Sequence, residues 1–339
     1  MKNLIRHKNL TSIMLKIDVH SHYFPLRIMK ELKEVINFDI ELSAGNKIYI
    51  KIGNVTWSGE AYVGLLDEDK IRDDSKKGEV DIRVLSLAPI SYLYDFDDNV
   101  ALTFYIKFND NLAHIVEKSE GMFIGLAGVP LQSPSLAIDE LKRAVKDLGL
   151  KGVEIGSHVL GKNLDDESLR DFFRIVSALN IPVFVHPQIT DVIGKDRLRK
   201  YFFTNILGVP IEDTIAGASL IASGIIQEYD IKVILPHGGG FLPYQIGRFD
   251  NGYKIRSDVR EKIRKEPSSF LSNFYFDTIL FNKNIIEFLV KFVGSDHLVL
   301  GSDYPFKMGY FKPYESVEFL SEIDKEKICE TNARKLFKI

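Results

Sequence analysis

The stretch LKIDVHSHYFP (15–25) sets the reading of this chain. A β-rich apolar run ends in two histidines, His20 and His22. Strand side chains alternate faces, so both imidazoles point to one side. The same kind of ending recurs: IPVFVHP (181–187) reaches His186, IKVILPHGGG (231–240) reaches His237 and HLVLGSDYP (297–305) reaches Asp303. Four further runs share this character, IRVLSLA (82–88), FIGLAGV (123–129), LKGVEIG (150–156) and FYFDT (274–278). All eight alternate with helix-like segments such as SLAIDELKRAVKDLG (135–149) and DESLRDFFRIVSALN (166–180), whose apolar residues recur every three or four positions. Short strands buried on both faces, alternating with helices, predict an α/β chain folded as a (β/α)8 TIM barrel rather than a doubly wound open sheet.

A chain of 339 residues has room for one barrel or for two ordinary domains. The strand ends favour one domain over 14–339, since no linker, repeat or low-complexity tract divides it. The surplus length is assigned to three places. One is a short basic extension at 1–13, before Met14. The second is a small antiparallel hairpin after the first strand, at about 38–58, with turns expected at Gly45-Asn46 and Gly53-Asn54. It would sit at the barrel mouth as a lid or interface element. The third is YFFTNILGVPIEDTIAGASLIASGIIQEY (201–229), read as extra helices after the fifth strand.

A hydrophobic share of 45% with 27% charged residues excludes a disordered or fibrous chain. The net charge of −3, with both signs mixed along the sequence, argues against nucleic acid as a partner. Cys329 is the single cysteine, which excludes an intrachain disulfide framework and a cysteine-based zinc site. No apolar run approaches the ~20 residues of a membrane helix. The opening MKNLIRHKNLTSIMLK lacks the apolar core of a secretory leader, so the expected location is the cytoplasm.

In a barrel the C-terminal ends of the strands converge on one face, which carries the catalytic groups. His20, His22, His186 and Asp303 are therefore read as ligands of one divalent metal. Zn²⁺ comes first, and Mn²⁺, Fe²⁺ or Co²⁺ suit the same donors. His237 is the fifth group, a base kept off the metal that takes a proton from water there, as a histidine pKa of about 6.5 permits. Glu154 is the one candidate bridge to a second metal. It is read instead as a polar residue of the barrel interior, which leaves the site mononuclear. Gly238, Gly239 and Gly240 have neither a P-loop lysine nor a dinucleotide fingerprint beside them and suggest close backbone approach to substrate or metal.

From Leu15 to Phe337, the ordered set KIDVHSHYFP, FIGLAGVPLQSPSLAIDELKRAVKDLGLKGVEIGSHV, FVHPQ, HGGGFLPYQIGRFDNGY, LGSDYPF and ETNARKLF resembles the amidohydrolase superfamily. Within it, the resemblance is to the branch of aminocarboxymuconate-semialdehyde, γ-resorcylate and 5-carboxyvanillate decarboxylases. It implies a barrel, one metal on His20, His22, His186 and Asp303, and His237 as catalytic base. It also implies loss of CO₂ from a small-molecule carboxylate without oxidation and without an organic cofactor. Asp303 could hold or shuttle the proton. A homodimer is implied as well, in which Arg248 of IGRFD reaches the neighbouring subunit's site.

The sequence departs from the semialdehyde enzymes at two points. Their hairpin carries a carboxylate-binding arginine where NKIYIKIGNVTW (46–57) has Ile50, with Lys51 adjacent and expected on the opposite hairpin face. Gln188 stands in HPQ where they have an aromatic residue. Substrate contacts are accordingly expected from Arg248, Lys51, Gln188 and Phe306. The same site would also serve a hydrolase acting on a lactone, amide or ester. A metal-binding protein without turnover is a third reading, one that gives His237 no purpose.

Overall fold

The computed structural model describes residues 14–43 and 47–339, so the 1–13 extension and the turn expected at Gly45-Asn46 lie outside the described residues. Strand β1 (Ile17–Tyr23) is followed by β2 (Phe38–Ser43), β3 (Lys47–Ile52) and β4 (Val55–Glu60). Next come β5 (Ile82–Leu87), β6 (Phe123–Gly125), β7 (Val153–Gly156) and a two-residue pair, β8 (His158–Val159) and β9 (Lys162–Asn163). The series ends with β10 (Val183–His186), β11 (Val233–Leu235), β12 (Phe274–Asp277) and β13 (Leu298–Val299). The longer connecting helices, in chain order, are α1 (Glu68–Lys77), α2 (Asp98–Glu117), α3 (Pro134–Lys146), α4 (Arg170–Leu179), α5 (Val209–Ala222), α6 (Leu242–Ile255) and α7 (Lys283–Val293). The last helix is α8 (Asn332–Phe337). No helix among the described residues is long and apolar enough to cross a membrane.

The expected eight parallel strands are present, in the orders β1-β5-β6 and β7-β10-β11-β12-β13. Backbone bonds join the two groups at both ends. Ala127 N donates to Gly152 O and Glu154 N to Ala127 O, each at 2.9 Å. On the other side, Val19 N donates to Leu300 O (2.8 Å) and His22 N to Tyr304 O (2.7 Å). Inside this arrangement Ile17, Val84, Ile124, Phe184, Ile234 and Val299, one from each of six strands, pack with Leu336 and Phe337 of α8. The alternate strand residues pack outward against the helices. Helix α2 shows why they fit: Ala101, Phe104, Tyr105, Phe108, Leu112 and Ile115 form one buried stripe, and Asp97 caps its first turn through Asn99 N. Burying each such phenylalanine is worth about 2 kcal/mol.

The insertion after β1 is larger than the predicted hairpin. Strands β2, β3 and β4 form an antiparallel meander, because the turn at Gly53 (φ +58°) folds β4 back onto β3. Its far end is tied to the segment after Asp303: Lys307 N donates to Glu60 O (3.1 Å) and Tyr62 N to Pro305 O (2.8 Å). The helical segment expected after the fifth parallel strand is present as a π-helical turn, Thr204–Gly208, that runs into α5.

Candidate metal centre and active site

His20 and His22 lie on β1, His186 closes β10, and Asp303 follows β13 by four residues. One donor atom from each of the four falls within 4.8 Å of all the others. His20 Nε2 and His22 Nε2 are 2.9 Å apart, and each is 3.3 Å from Asp303 Oδ1. His186 Nε2 is buried with no hydrogen-bond partner among the described residues. Converging imidazole lone pairs and an orphaned buried nitrogen are costly without a positive charge between them. Three imidazoles and one carboxylate therefore fit a single divalent ion.

The opposite ring nitrogens are all engaged, which turns the Nε2 atoms inward. His20 Nδ1 meets Asp277 Oδ2 at 2.7 Å, His22 Nδ1 meets Ser86 Oγ at 3.3 Å and His186 Nδ1 meets Pro187 O at 2.9 Å. Burial alone would lower the His20 pKa, but Asp277 and Asp303 outweigh it and push the group up to about 10. Burial would likewise raise the Asp303 carboxyl, yet His20 and His22 hold it well below the usual carboxylate range. The other two imidazoles shift the opposite way: burial brings His22 down to about 4 and holds His186 well below the usual histidine value, so both stay neutral, as metal ligation requires. Behind the cluster, the fully buried Arg83 pairs with Asp18, whose carboxylate accepts Ser21 Oγ (2.6 Å) and Ser302 Oγ (2.5 Å). These serines flank the ligands in sequence. Glu154 faces the outer side of the cluster, 3.8 Å from His22 Nδ1, and burial pushes its carboxyl up to about 8.

His237 stands beside the cluster, with its ring centroid 5.5 Å from those of His20 and His186. Its φ is +51° and that of Asp303 is +58°. Each left-handed conformation costs a non-glycine residue roughly 1–2 kcal/mol, a strain typical of functional sites. The three glycines that follow are each required by a close neighbour within the fold. A Cβ on Gly240 would lie 2.0 Å from Pro210 O, one on Gly239 2.5 Å from Phe276 and one on Gly238 2.7 Å from Leu280. They admit neighbouring parts of the fold, and Gly238 N also donates to Asp277 Oδ1 at 3.1 Å.

His186, His237 and Asp303 line a cavity of about 460 Å³. Phe306 lines it too, its ring 5.6 Å from those of His22 and Trp57. The other three expected substrate contacts are not among its lining residues. Lys51 lies opposite the buried Ile48, Ile50 and Ile52, on the β3 face that alternation predicts, whereas Lys47 on the same strand does line the cavity. Gln188 donates to His158 O (3.3 Å) and borders a separate space of about 190 Å³. Arg248 is exposed on α6. Besides lining residues such as Lys47, Trp57 and Lys307, two acidic residues not singled out in the sequence stand behind the histidines. Asp277 closes β12 in FYFDT, the same strand-end signal that marks the histidines. Asp213, on α5, meets His237 Nδ1 at 2.9 Å and carries no such signal.

Imidazoles and a carboxylate gathered beyond the ends of parallel strands define a metal-dependent α/β enzyme. Residues 17–339 match the family described as amidohydrolase, and the chain belongs to it. The 2-amino-3-carboxymuconate-6-semialdehyde decarboxylase of Dictyostelium discoideum is 33% identical over 336 residues, covering 94% of this chain and 90% of that protein. The γ-resorcylate decarboxylase of a Polaromonas species is 30% identical over 253 residues, covering 69% and 76%. A solved dihydroxybenzoic acid decarboxylase from Polaromonas, with bound manganese and the inhibitor 2-nitroresorcinol, shares the fold at TM-score 0.78 and 24% identity, covering 96% of this chain and 97% of that one.

Proposed function

We propose that this chain is a metal-dependent, non-oxidative decarboxylase of an unsaturated or aromatic carboxylic acid, built as one closed (β/α)8 barrel with the β2–β4 meander as its lid. The observation that carries the reading is the convergence of His20, His22, His186 and Asp303 donors within 4.8 Å, with His237 beside them and lining the same cavity. The backbone bonds at both junctions of the parallel strands support the barrel, and the decarboxylase relatives support the reaction.

Bound at the four donors, a divalent ion supplies positive charge that polarises an adjacent oxygen. Zn²⁺ and Mn²⁺ both suit the set, the second being the metal of the Polaromonas structure. The rest falls to the chain. Trp57 and Phe306 offer an aromatic wall to a planar acid, and about 460 Å³ suits a small ligand. Of the two lysines on the lining, Lys307 pairs with Glu60 at 3.5 Å, which leaves Lys47 as the cation to attract an anion. When the carbon–carboxylate bond breaks, its electron pair stays on carbon, and a proton must take the place of CO₂. His237 is the group assigned to carry that proton, and Asp303 a second site able to hold it. Arg248, exposed and without an ion pair among the described residues, suits a homodimer in which it serves the neighbouring site. A cytoplasmic location completes the reading.

The test is CO₂ release from dihydroxybenzoates, carboxyvanillate and muconate semialdehydes by enzyme loaded with Mn²⁺ or Zn²⁺. At least one acid is expected to turn over, and His237→Ala with metal retained to lower kcat by ~10³-fold. No CO₂ from any member sinks the reading, and lactone opening without CO₂ replaces it with hydrolysis.

A further inference from the structure

His237 reaches the cavity from the turn after β11, but the group that governs its ring comes from a different element. Asp213 on α5 is fully buried; its Oδ2 lies 2.9 Å from His237 Nδ1, and its Oδ1 has no hydrogen-bond partner among the described residues. Its neighbours on the helix brace loops. Glu212 accepts from Ser157 Oγ (3.0 Å) and Ile193 N (2.7 Å), and Thr214 Oγ1 accepts from Phe241 N (2.7 Å) while donating to Pro210 O (2.8 Å). Among the described residues Asp213 holds only an imidazole. Taking a carboxylate out of water with one partner costs several kcal/mol. A neutral acceptor would brace the same ring at far lower cost. The charge is therefore informative: it acts on the ring it touches.

We propose that Asp213 is a positioning residue for His237. It accepts the Nδ1 proton, fixes that tautomer and orientation, and leaves Nε2 as the ring nitrogen presented to the cavity. The proposal rests on the reading of His237 as proton carrier. In that step His237 starts as the imidazolium, its Nδ1–H held by Asp213 and its Nε2–H facing the cavity. The carboxylate carbon leaves as CO₂, the bond's electron pair takes the Nε2 proton to form C–H, and the neutral Nδ1–H ring left behind regains a proton at Nε2 from solvent water, releasing hydroxide. Asp213 remains ionised throughout, as the carboxylate of a His–Asp pair does.

Asp213→Asn keeps the shape of the side chain, and Asp213→Ala removes the acceptor. In metal-loaded enzyme each is expected to lower kcat by ~10²-fold while KM stays within about threefold. Co²⁺ affinity, read by competition with a chromophoric chelator, should not change. The ¹⁵N shifts of the histidine rings supply a readout that a merely structural contact would not move: wild-type His237 is expected to keep Nδ1 protonated in both its charged and its neutral form, and Asp213→Ala is expected to lose that preference in the neutral ring. The proposal is overturned if Asp213→Ala keeps kcat within about threefold of wild type, or if its His237 shifts retain the wild-type tautomer. His237→Gln separates the two readings. Turnover that survives in His237→Gln removes the proton carrier itself, whereas turnover lost there but kept in Asp213→Ala removes only the role of Asp213.

Discussion

Asp277 shows how much of the site depends on single contacts behind the ligands. Its Oδ2 holds His20 Nδ1 at 2.7 Å, while Oδ1 accepts from Gly238 N and Ile279 N, both at 3.1 Å. The carboxylate is thus fixed by backbone before it orients the imidazole. Partners of this kind typically contribute 10–100-fold to metal affinity. Asp277→Asn is expected to weaken Zn²⁺ or Co²⁺ binding by ~10–100-fold in a chelator competition, with little loss of folding. Equal affinity in mutant and wild type would show that His20 needs no partner. The strand-end argument finds the four donors because their positions follow from strand geometry. It applies equally to Asp277, which closes β12 as Asp303 follows β13, and sequence alone does not separate the aspartate that joins the donors from the one that stands behind them. Asp213 had no legible signal: it is a helix residue whose partner is fixed only by how α5 packs over β11. The lysines divide similarly. Alternation puts Lys51 on the face away from Ile50, but that Lys47 borders the cavity depends on where the meander sits.

At the scale of elements, the turn from β11 into α6 concentrates the constraint. Gly240 has φ +60°, and a Cβ there would lie 2.0 Å from Pro210 O, a backbone atom that cannot swing aside. Gly240→Ala is expected to cost about 3 kcal/mol, combining left-handed strain with overpacking. Thermal unfolding checks this, with Gly247→Ala as comparison. A Cβ at Gly247, on the helix that follows, would meet nothing within 4 Å, so that variant should be neutral or more stable by up to about 1 kcal/mol. Equal melting temperatures for the two would mean that the turn relaxes freely. The same turn shows a need for glycine that the sequence does not display. A triple glycine beside a base suggests room for a ligand, yet the need for it comes from Pro210, Phe276 and Leu280, all distant in sequence. The parallel strands were legible from their apolar runs because covered strands need no polar face. The meander was legible only as turns and alternation, and its third strand follows from Gly53.

Across the whole molecule, the donors come from the first, the fifth and the last of the parallel strands. An unfolded chain cannot hold them together, so an ion at this site binds the native state and stabilises it by linkage. Free metal at about 100 times its Kd contributes about 2.7 kcal/mol. In a chain of this size that is expected to raise the melting temperature by roughly 5 °C. The gain should vanish with excess chelator and return on dialysis against Zn²⁺ or Mn²⁺. His186→Ala should abolish most of it, since His186 Nε2 is one of the four converging donors and has no other partner among the described residues. The control is Arg248→Ala, exposed on α6, which should keep the full metal-dependent shift even if turnover falls. That contrast separates the two parts of the reading at molecular scale. A shift lost in His186→Ala and kept in Arg248→Ala ties the metal to the strand ends and the arginine to another step. A melting temperature independent of metal in the wild type would mean that the four donors do not hold an ion in solution.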